Sequence, residues 1–498
     1  LTDVNFNDIK ISLIFVFQDE FIMTKESIMI EKENHPLDVL FYPKSVAMIA
    51  SVKPHAPGNR WITTYTNLGY SGKIYPVNAN AGDSLGHKTY ASVLDLPGPV
   101  DLALFGIPSH AVLPVLRDCG KKGVQFAHFF TAGFSETGEA KDEALEKELV
   151  DTARQYNIRI LGPNCMGVYC PEGHVGWMEH FPKEPGPVGF ISQSGQLAGM
   201  FVNLGASEGL RFSKVVSYGN ASDLQVHDFI NYMAEDEKTK VIGMYIEGFK
   251  DGRAFFEAVK NTTRKKPLVI FKGGQTEGGA RATQSHTASI AGSAKIWEAL
   301  CKQTGIISVN SMEELIGTAL AFLKLKLPGG NRAAILGGAG GGSVTMTDMA
   351  EKEGLSVPHL SEETIRELQK IVPAQGTSVK NPLDVGFSSI YQEESQFLRM
   401  YELLEADPKI DAVIFSRAIM PGNNGVAKFI ELNIKGMDVL SKPVFTVVPA
   451  SNSLERETAR HEAQAMYEKA GISTFASFPL AARVMNNLYQ YGCFLQHP

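Results

Sequence analysis

Phe190-Ile191-Ser192-Gln193-Ser194-Gly195 decides the fold. An apolar run breaks into a turn of small polar residues, and a helical stretch follows. In that stretch Leu197, Met200, Phe201 and Leu204 predict a buried face. Ile335-Leu336-Gly337-Gly338-Ala339-Gly340-Gly341-Gly342-Ser343 repeats the pattern later in the chain. Strand, tight turn and helix in that order are the unit of a parallel α/β sheet. The turn sets the helix N-terminus, with its unpaired N–H groups, at the carboxyl end of the strand, where such folds hold anions.

Strand candidates of the same kind flank both turns. Around the first lie Val188–Ser192, Lys214–Ser217, Val241–Ile246 and Leu268–Lys272; around the second, Arg332–Leu336, Ala412–Phe415 and Val444–Val448. Ahead of them Val46–Ala50, Lys73–Val77, Asp101–Ile107, Val124–Thr131 and Ile158–Leu161 form a third set. A helical stretch, Ala140–Tyr156, carries Leu145, Leu149 and Ala153 on one face. Phe181–Pro187, with three prolines and a glycine, reads as a linker, and Leu327-Pro328-Gly329-Gly330-Asn331 as a second boundary. The expected fold is α/β with three open parallel-sheet domains: a Rossmann-like domain over 36–180, then two flavodoxin-like domains over 181–328 and 329–498. Residues 1–35 read as an extension ahead of the first domain, with Met23 and Met29 as alternative starts.

Bulk properties narrow the function classes. A chain of 498 residues exceeds what one core supports. A net charge of −7 argues against nucleic acid as a partner, and no run approaches the roughly 20 apolar residues of a membrane span. The five cysteines are scattered without paired Cys-x-x-Cys units, so neither a disulfide framework nor a metal site is expected. Cys165 and Cys170 read as buried apolar residues, and the usage fits a reducing cytoplasm.

The chemistry concentrates in one segment. Between strand candidate Leu268–Lys272 and a helix beginning near Ala294 lies a long stretch of Gly, Ala, Ser and Thr, Gly273 to Ser293, with one histidine, His286. A loop of that length is usually functional or disordered. Small neighbours leave room around an imidazole, which is nucleophilic near neutral pH and suits a covalent phosphoryl carrier. An exposed polar loop with an incidental histidine is the competing reading. Glu247 ends strand candidate Val241–Ile246, where it would fix the imidazole tautomer or stand as an exposed strand-end carboxylate.

Ser285-His286-Thr287-Ala288-Ser289-Ile290-Ala291-Gly292 resembles the phosphohistidine loop, Ser-His-Thr-Gly-Ser-Leu-Ala-Gly, of the NDP-forming (ADP-forming) acyl-CoA synthetases, α-subunit type, within the succinyl-CoA synthetase-like superfamily. Ala288 departs from the usual glycine. The resemblance implies His286 as phosphoryl carrier and Glu247 as the glutamate that contacts it. It also implies two helix N-termini aimed at one phosphate: Ser192, Gln193, Ser194 and Gly195 in the first turn, and Gly340, Gly341 and Gly342 in the second. The second turn departs from the family's Asn-Ala-Gly-Gly-Pro-Gly, with Gly338 for Asn and Gly342 for Pro.

The first domain resembles the family's CoA-binding domain through Pro43-Lys44-Ser45-Val46-Ala47, Gly69–Asn78, Ile107-Pro108-Ser109, Thr131-Ala132-Gly133-Phe134 and Gly162-Pro163-Asn164-Cys165. It implies CoA contacts from Ser51, Lys53, Asn78, Pro108, Ser109, Thr131, Gly133 and Asn164. The family's Ile-Gly-Ala-Ser is replaced by Ile49-Ala50-Ser51, and a solvated surface lysine is the alternative for Lys53. Asn381-Pro382-Leu383-Asp384-Val385 matches the family's Asn-Pro-x-Asp-Val. The implied reaction interconverts acyl-CoA, phosphate and NDP with free acid, CoA and NTP. The implied ligands are CoA and phosphate, with the Mg-nucleotide on an ATP-grasp (β) partner subunit in a hetero-oligomer. Two rivals stay open: a CoA-ligase-like acyl or carbamoyl transferase, and a non-catalytic CoA-binding regulatory protein. A dehydrogenase leaves the histidine segment unexplained, and Ala50 weakens its dinucleotide fingerprint.

Overall fold

A computed structural model of the chain describes residues 35–79, 82–281, 293–338, 340–385, 393–419 and 425–496. The chain divides into Leu1–Asp38 and Val39–Pro498, and every sheet belongs to the latter. The first sheet and the elements around it are β1 (Ser45–Ala50), α1 (Pro57–Leu68), β2 (Lys73–Val77), a separate two-stranded hairpin of β3 (Gly82–Ser84) and β4 (His87–Thr89), β5 (Leu102–Gly106), α2 (Val112–Lys122), β6 (Phe126–Phe129), α3 (Ala140–Gln155) and β7 (Arg159–Leu161). Its strand order is β2-β1-β5-β6-β7, with every pairing parallel. All six residues of β1 are buried, as expected of a parallel strand covered on both faces.

The second sheet takes β8 (Gly167–Tyr169), β9 (Pro185–Ser192), α4 (Gly195–Ser207), β10 (Phe212–Ser217), α5 (Val226–Glu235), β11 (Val241–Ile246), α6 (Gly252–Thr263), β12 (Leu268–Lys272), α7 (Ala294–Thr304), β13 (Ile307–Val309) and α8 (Met312–Lys324). Its order is β13-β12-β11-β9-β10-β8, parallel except for the antiparallel edge strand β8, which the sequence reading missed. The expected linker Phe181–Pro187 is only partly one. Phe181 is buried against Tyr169 and Trp177, and β9 already starts at Pro185. Pro185 and Pro187 are tolerated there because β9 pairs with its neighbours only from Val188 onward.

The buried face of α4 also differs from expectation. Ala198, Phe201, Val202 and Gly205 face the core, whereas Met200 and Leu204 are exposed. The helix lies close to its sheet, where small residues fit: a Cβ on Gly205 would come within 3.1 Å of Leu210 and 3.2 Å of Phe212.

The third sheet, β14 (Ala333–Gly337), β15 (Ala412–Ser416), β16 (Val444–Val447) and β17 (Thr474–Phe475), is parallel in that order. Around it lie α9 (Gly341–Lys352), α10 (Glu362–Ile371), α11 (Glu394–Ala406), α12 (Gly425–Val439), α13 (Leu454–Lys469) and α14 (Phe478–Gln496). Bridges from Leu336 to Leu383 and from Arg332 to Ser356 stand where a further strand would flank β14.

Helix α14 serves two cores. Phe478, Ala481, Ala482, Met485 and Leu488 pack with the third sheet, while Tyr491 joins the second core and donates its hydroxyl to the Thr263 carbonyl at 2.7 Å. Arg483 and Asn487 reach Glu314 on α8 at 3.5 and 3.1 Å.

Candidate active site

In an open parallel sheet, ligands sit where the strand order reverses, beyond the carboxyl ends of the strands. That point lies between β1 and β5 in the first sheet and between β9 and β11 in the second. One cavity of about 1120 Å³ opens onto both sheets. Gly106, Ile107 and Pro108 line it from the end of β5, and Gln193, Ser194, Gly195 and Glu247 from the ends of β9 and β11. Its volume exceeds the roughly 300–1,000 Å³ usual for compact ligands, which suits an elongated one.

The corner between β9 and β11 is tied by one side chain. Gln193 Oε1 accepts the N–H of Glu247 at 2.9 Å and that of Gly248 at 3.2 Å, while the Gln193 N–H donates to the Tyr245 carbonyl. This holds Glu247, 8% exposed, at the cavity wall, and the Tyr245 hydroxyl donates to its Oε1 at 3.2 Å. From β12 the Lys272 ammonium reaches the Glu247 carbonyl at 2.6 Å. Beside them α4 begins, with Ser194 Oγ accepting the Leu197 N–H as N-cap. A carboxylate at a strand end, facing a cavity next to a helix N-terminus, can orient an imidazole while the helix receives an anion.

The residues expected from the sequence do not all meet in one place. Glu247, Gln193, Ser194, Gly195, Pro108, Thr131 and Asn164 line the one cavity. Ser51, Lys53, Asn78, Ser109 and Gly133 lie at the ends or turns of the first sheet but outside that lining. Asn78 donates to the Ala50 carbonyl at 3.1 Å, and Lys53 is exposed. Ser192 is fully buried and spends its hydroxyl on the Ser194 carbonyl at 2.6 Å, so it shapes the turn. Gly340, Gly341 and Gly342 are exposed at the start of α9, away from the cavity lining. His286 lies outside the described residues. Among the described residues no cluster of three or more His, Cys, Asp or Glu could hold a metal ion, and no helix is long and apolar enough to cross a membrane.

The Asn381–Val385 element acquires a structural role. Asn381 accepts the Ile335 N–H at 2.9 Å and donates to the Ala333 and Pro358 carbonyls, while Asp384 Oδ2 accepts the Gly340 N–H at 3.0 Å. It pins the glycine-rich turn between β14 and α9 from the side of the sheet opposite β15.

Sequence reasoning missed a polar seam between the first two sheets. Glu136 accepts the N–H groups of Gly133 at 2.6 Å and Phe134 at 3.2 Å, so the turn expected to meet CoA already holds a carboxylate. Asn220, beyond β10, donates to Glu136 at 2.6 Å and to Glu146 at 2.9 Å. Glu146 also accepts Ser135 Oγ at 2.6 Å and lies 3.9 Å from Lys250. The one available signal was a glutamate on the predicted buried side of Ala140–Tyr156, beside Leu145 and Leu149.

Burial alone would raise the Glu146 pKa, but hydrogen bonds from Ser135 and Asn220 help to outweigh it and hold it below the ordinary value. A folded-state pKa below the unfolded one gives stability that is present above the unfolded value and lost as pH falls through the folded one. E146Q is therefore expected to cost about 1–3 kcal/mol near neutral pH, with the gap to wild type closing as pH drops below the ordinary glutamate range. Urea melts at two pH values check this, and a gap that stays constant rules out the ionised seam.

A CoA binding domain family matches residues 44–171, and a succinyl-CoA ligase like flavodoxin domain family matches residues 185–322. The chain is 38% identical over 445 residues to the ADP-forming acetate–CoA ligase II subunit alpha of Pyrococcus furiosus, covering 88% of this chain and 94% of that one. It is 34% identical to the ADP-forming acetate–CoA ligase II of Archaeoglobus fulgidus, covering 91% of this chain and 66% of that one. A dinucleotide forming acetyl-coenzyme A synthetase 1 from Ca. Korarchaeum cryptofilum, solved with phosphate and ADP, superposes with a TM-score of 0.79 at 33% identity, over 92% of this chain and 97% of that one.

Proposed function

The chain belongs to the ADP-forming acyl-CoA synthetases of the succinyl-CoA synthetase-like superfamily, and from that premise we propose that it works as their CoA-binding, phosphohistidine-bearing subunit. The observation that supports this best is the single cavity joining the two sheets. It sets Pro108, Thr131 and Asn164, which suit a CoA thioester, across from Gln193, Ser194, Gly195 and Glu247, which suit a phosphoryl group.

Phosphate attacks the thioester carbonyl, the C–S bond breaks, and acyl phosphate and CoA thiol result. The imidazole of His286 then attacks phosphorus and the P–O bond to the acyl oxygen breaks, which frees the carboxylate. The phosphoryl group passes from His286 to a nucleoside diphosphate. Glu247 accepts a hydrogen bond from the imidazole nitrogen that does not react, and so fixes the tautomer and stabilises the positive charge that develops. The N-terminus of α4 stabilises the phosphoryl dianion through unpaired N–H groups, and the start of α9, outside the cavity lining here, is the second helix start that the family resemblance implies. An ATP-grasp subunit supplies the nucleotide site, where a bound magnesium ion would offset phosphate charge.

Incubation with an acyl phosphate should yield acid-labile, alkali-stable phosphate on the chain, and acyl-CoA when CoA is present. Absence of both would favour a silent CoA-binding protein; acyl transfer without labelling would favour a transferase. E247Q keeps the shape of the corner but weakens the acceptor. It should slow labelling by about 10- to 100-fold without unfolding the chain. Wild-type kinetics in E247Q would reduce that carboxylate to a bystander.

A further inference from the structure

We infer that Lys272 is a positioning residue of the phosphoryl-transfer site, its buried ammonium tying the main chain of Glu247 to the first residue of the segment that carries His286. The inference rests on the phosphohistidine reading given above. Lysine is among the residues least often fully buried, yet Lys272 is 8% exposed at the last position of β12. Its Nζ donates to the Glu247 carbonyl at 2.6 Å and to the Gly273 carbonyl at 2.5 Å. Both acceptors lie just past the ends of neighbouring parallel strands, where the ladder that joins β11 to β12 runs out.

The rest of the corner closes around this bridge. The Gly273 N–H donates to the Ile246 carbonyl at 2.9 Å, extending the ladder by one bond, and Gln275 Nε2 donates to the Lys272 carbonyl at 2.9 Å. A Cβ on Gly273 would stand 2.8 Å from the Tyr245 hydroxyl and 3.4 Å from Cγ of Glu247. The segment is therefore registered against the carboxylate at its first residue. Burial lowers the Lys272 pKa while the charge of Glu247 raises it, so the ammonium is held at a desolvation cost with that carboxylate as its electrostatic partner. A lysine needed only to fill space could be an apolar side chain at no such cost.

The test measures labelling by acyl phosphate in wild type, K272M, K272R, E247Q, K272M/E247Q and H286A, with CoA affinity and thermal melting on each. K272M keeps the length of the stem but has no donor. It should label about 10- to 100-fold more slowly with CoA affinity unchanged, and K272R should recover part of the rate. Because Lys272 acts through Glu247, K272M should slow the E247Q background by less than it slows wild type. A wild-type labelling rate in K272M overturns the inference, as does an undiminished effect on the E247Q background. K272Q, which retains a donor, substitutes for K272M if that variant does not fold. Undiminished labelling of H286A would instead overturn the phosphohistidine reading and leave the Lys272 geometry unassigned to it.

Discussion

Replacing His286 by alanine or asparagine should remove both labelling by acyl phosphate and ligase turnover, by at least ~10⁴-fold, while CoA binding persists. The expectation rests on the choice of nucleophile. A neutral imidazole with an ordinary pKa near 6.5 is largely unprotonated at neutral pH and can take a phosphoryl group without a base to activate it. The hydroxyls of the residues that line the cavity, Ser194, Thr131, Ser135 and Tyr218, would need such a base. Cys165 lines it too, but burial drives its thiol pKa up and leaves little thiolate. CoA binding should survive because the groups assigned to it lie on the first sheet. Residual acid-labile phosphate on H286A at the wild-type level would move the carrier elsewhere.

ATP with magnesium should leave the purified chain unlabelled, whereas acyl phosphate labels it, and adding an ATP-grasp subunit should restore labelling by ATP. The 498 residues contain no Gly-x-x-x-x-Gly-Lys-[Ser/Thr] loop that could cradle a triphosphate. Phosphoryl transfer depends on positioning and charge neutralisation, much of it by the metal, so with the nucleotide site on a partner subunit, as proposed, the chain alone should not carry out that half-reaction. Labelling by ATP of the chain alone, lost on changing one of its own loops, would reveal a nucleotide site within these domains.

Much of the scaffold was legible because parallel strands covered on both faces are written as short apolar runs. Lys73–Val77, Val241–Ile246 and Leu268–Lys272 stand where the sequence puts them. Strands of two or three residues, such as β8, β13 and β17, are too short to carry a pattern. The face of α4 was misjudged in part: Phe201 is buried as expected, but beside it the core side is completed by Ala198, Val202 and Gly205, while Met200 and Leu204 point outward. Glu247 and Gln193 could be found from their places at strand ends. Lys272 could not, since a lysine ending an apolar run gives no sign that its ammonium turns back onto the carbonyls of Gly273 and Glu247; nor could the bond from Asn220 to Glu136, which spans 84 residues.

Helix α14 has a consequence for how the protein comes into being on the ribosome. Its front half completes the third core, but Tyr491 and Asn487 also close the second, against Thr263 and α8. About 150 residues separate the end of α8 from the start of α14, so at 5–20 residues per second the second core waits roughly 8–30 s for its last helix. Over that interval the outer surface of α8 stands without its α14 partners in the nascent chain, and the nearly fully buried carboxylate of Glu314 keeps the Asn310 N–H but lacks Arg483 and Asn487. The second sheet is thus made early and finished late, and its window for misassembly is set by the length of the third.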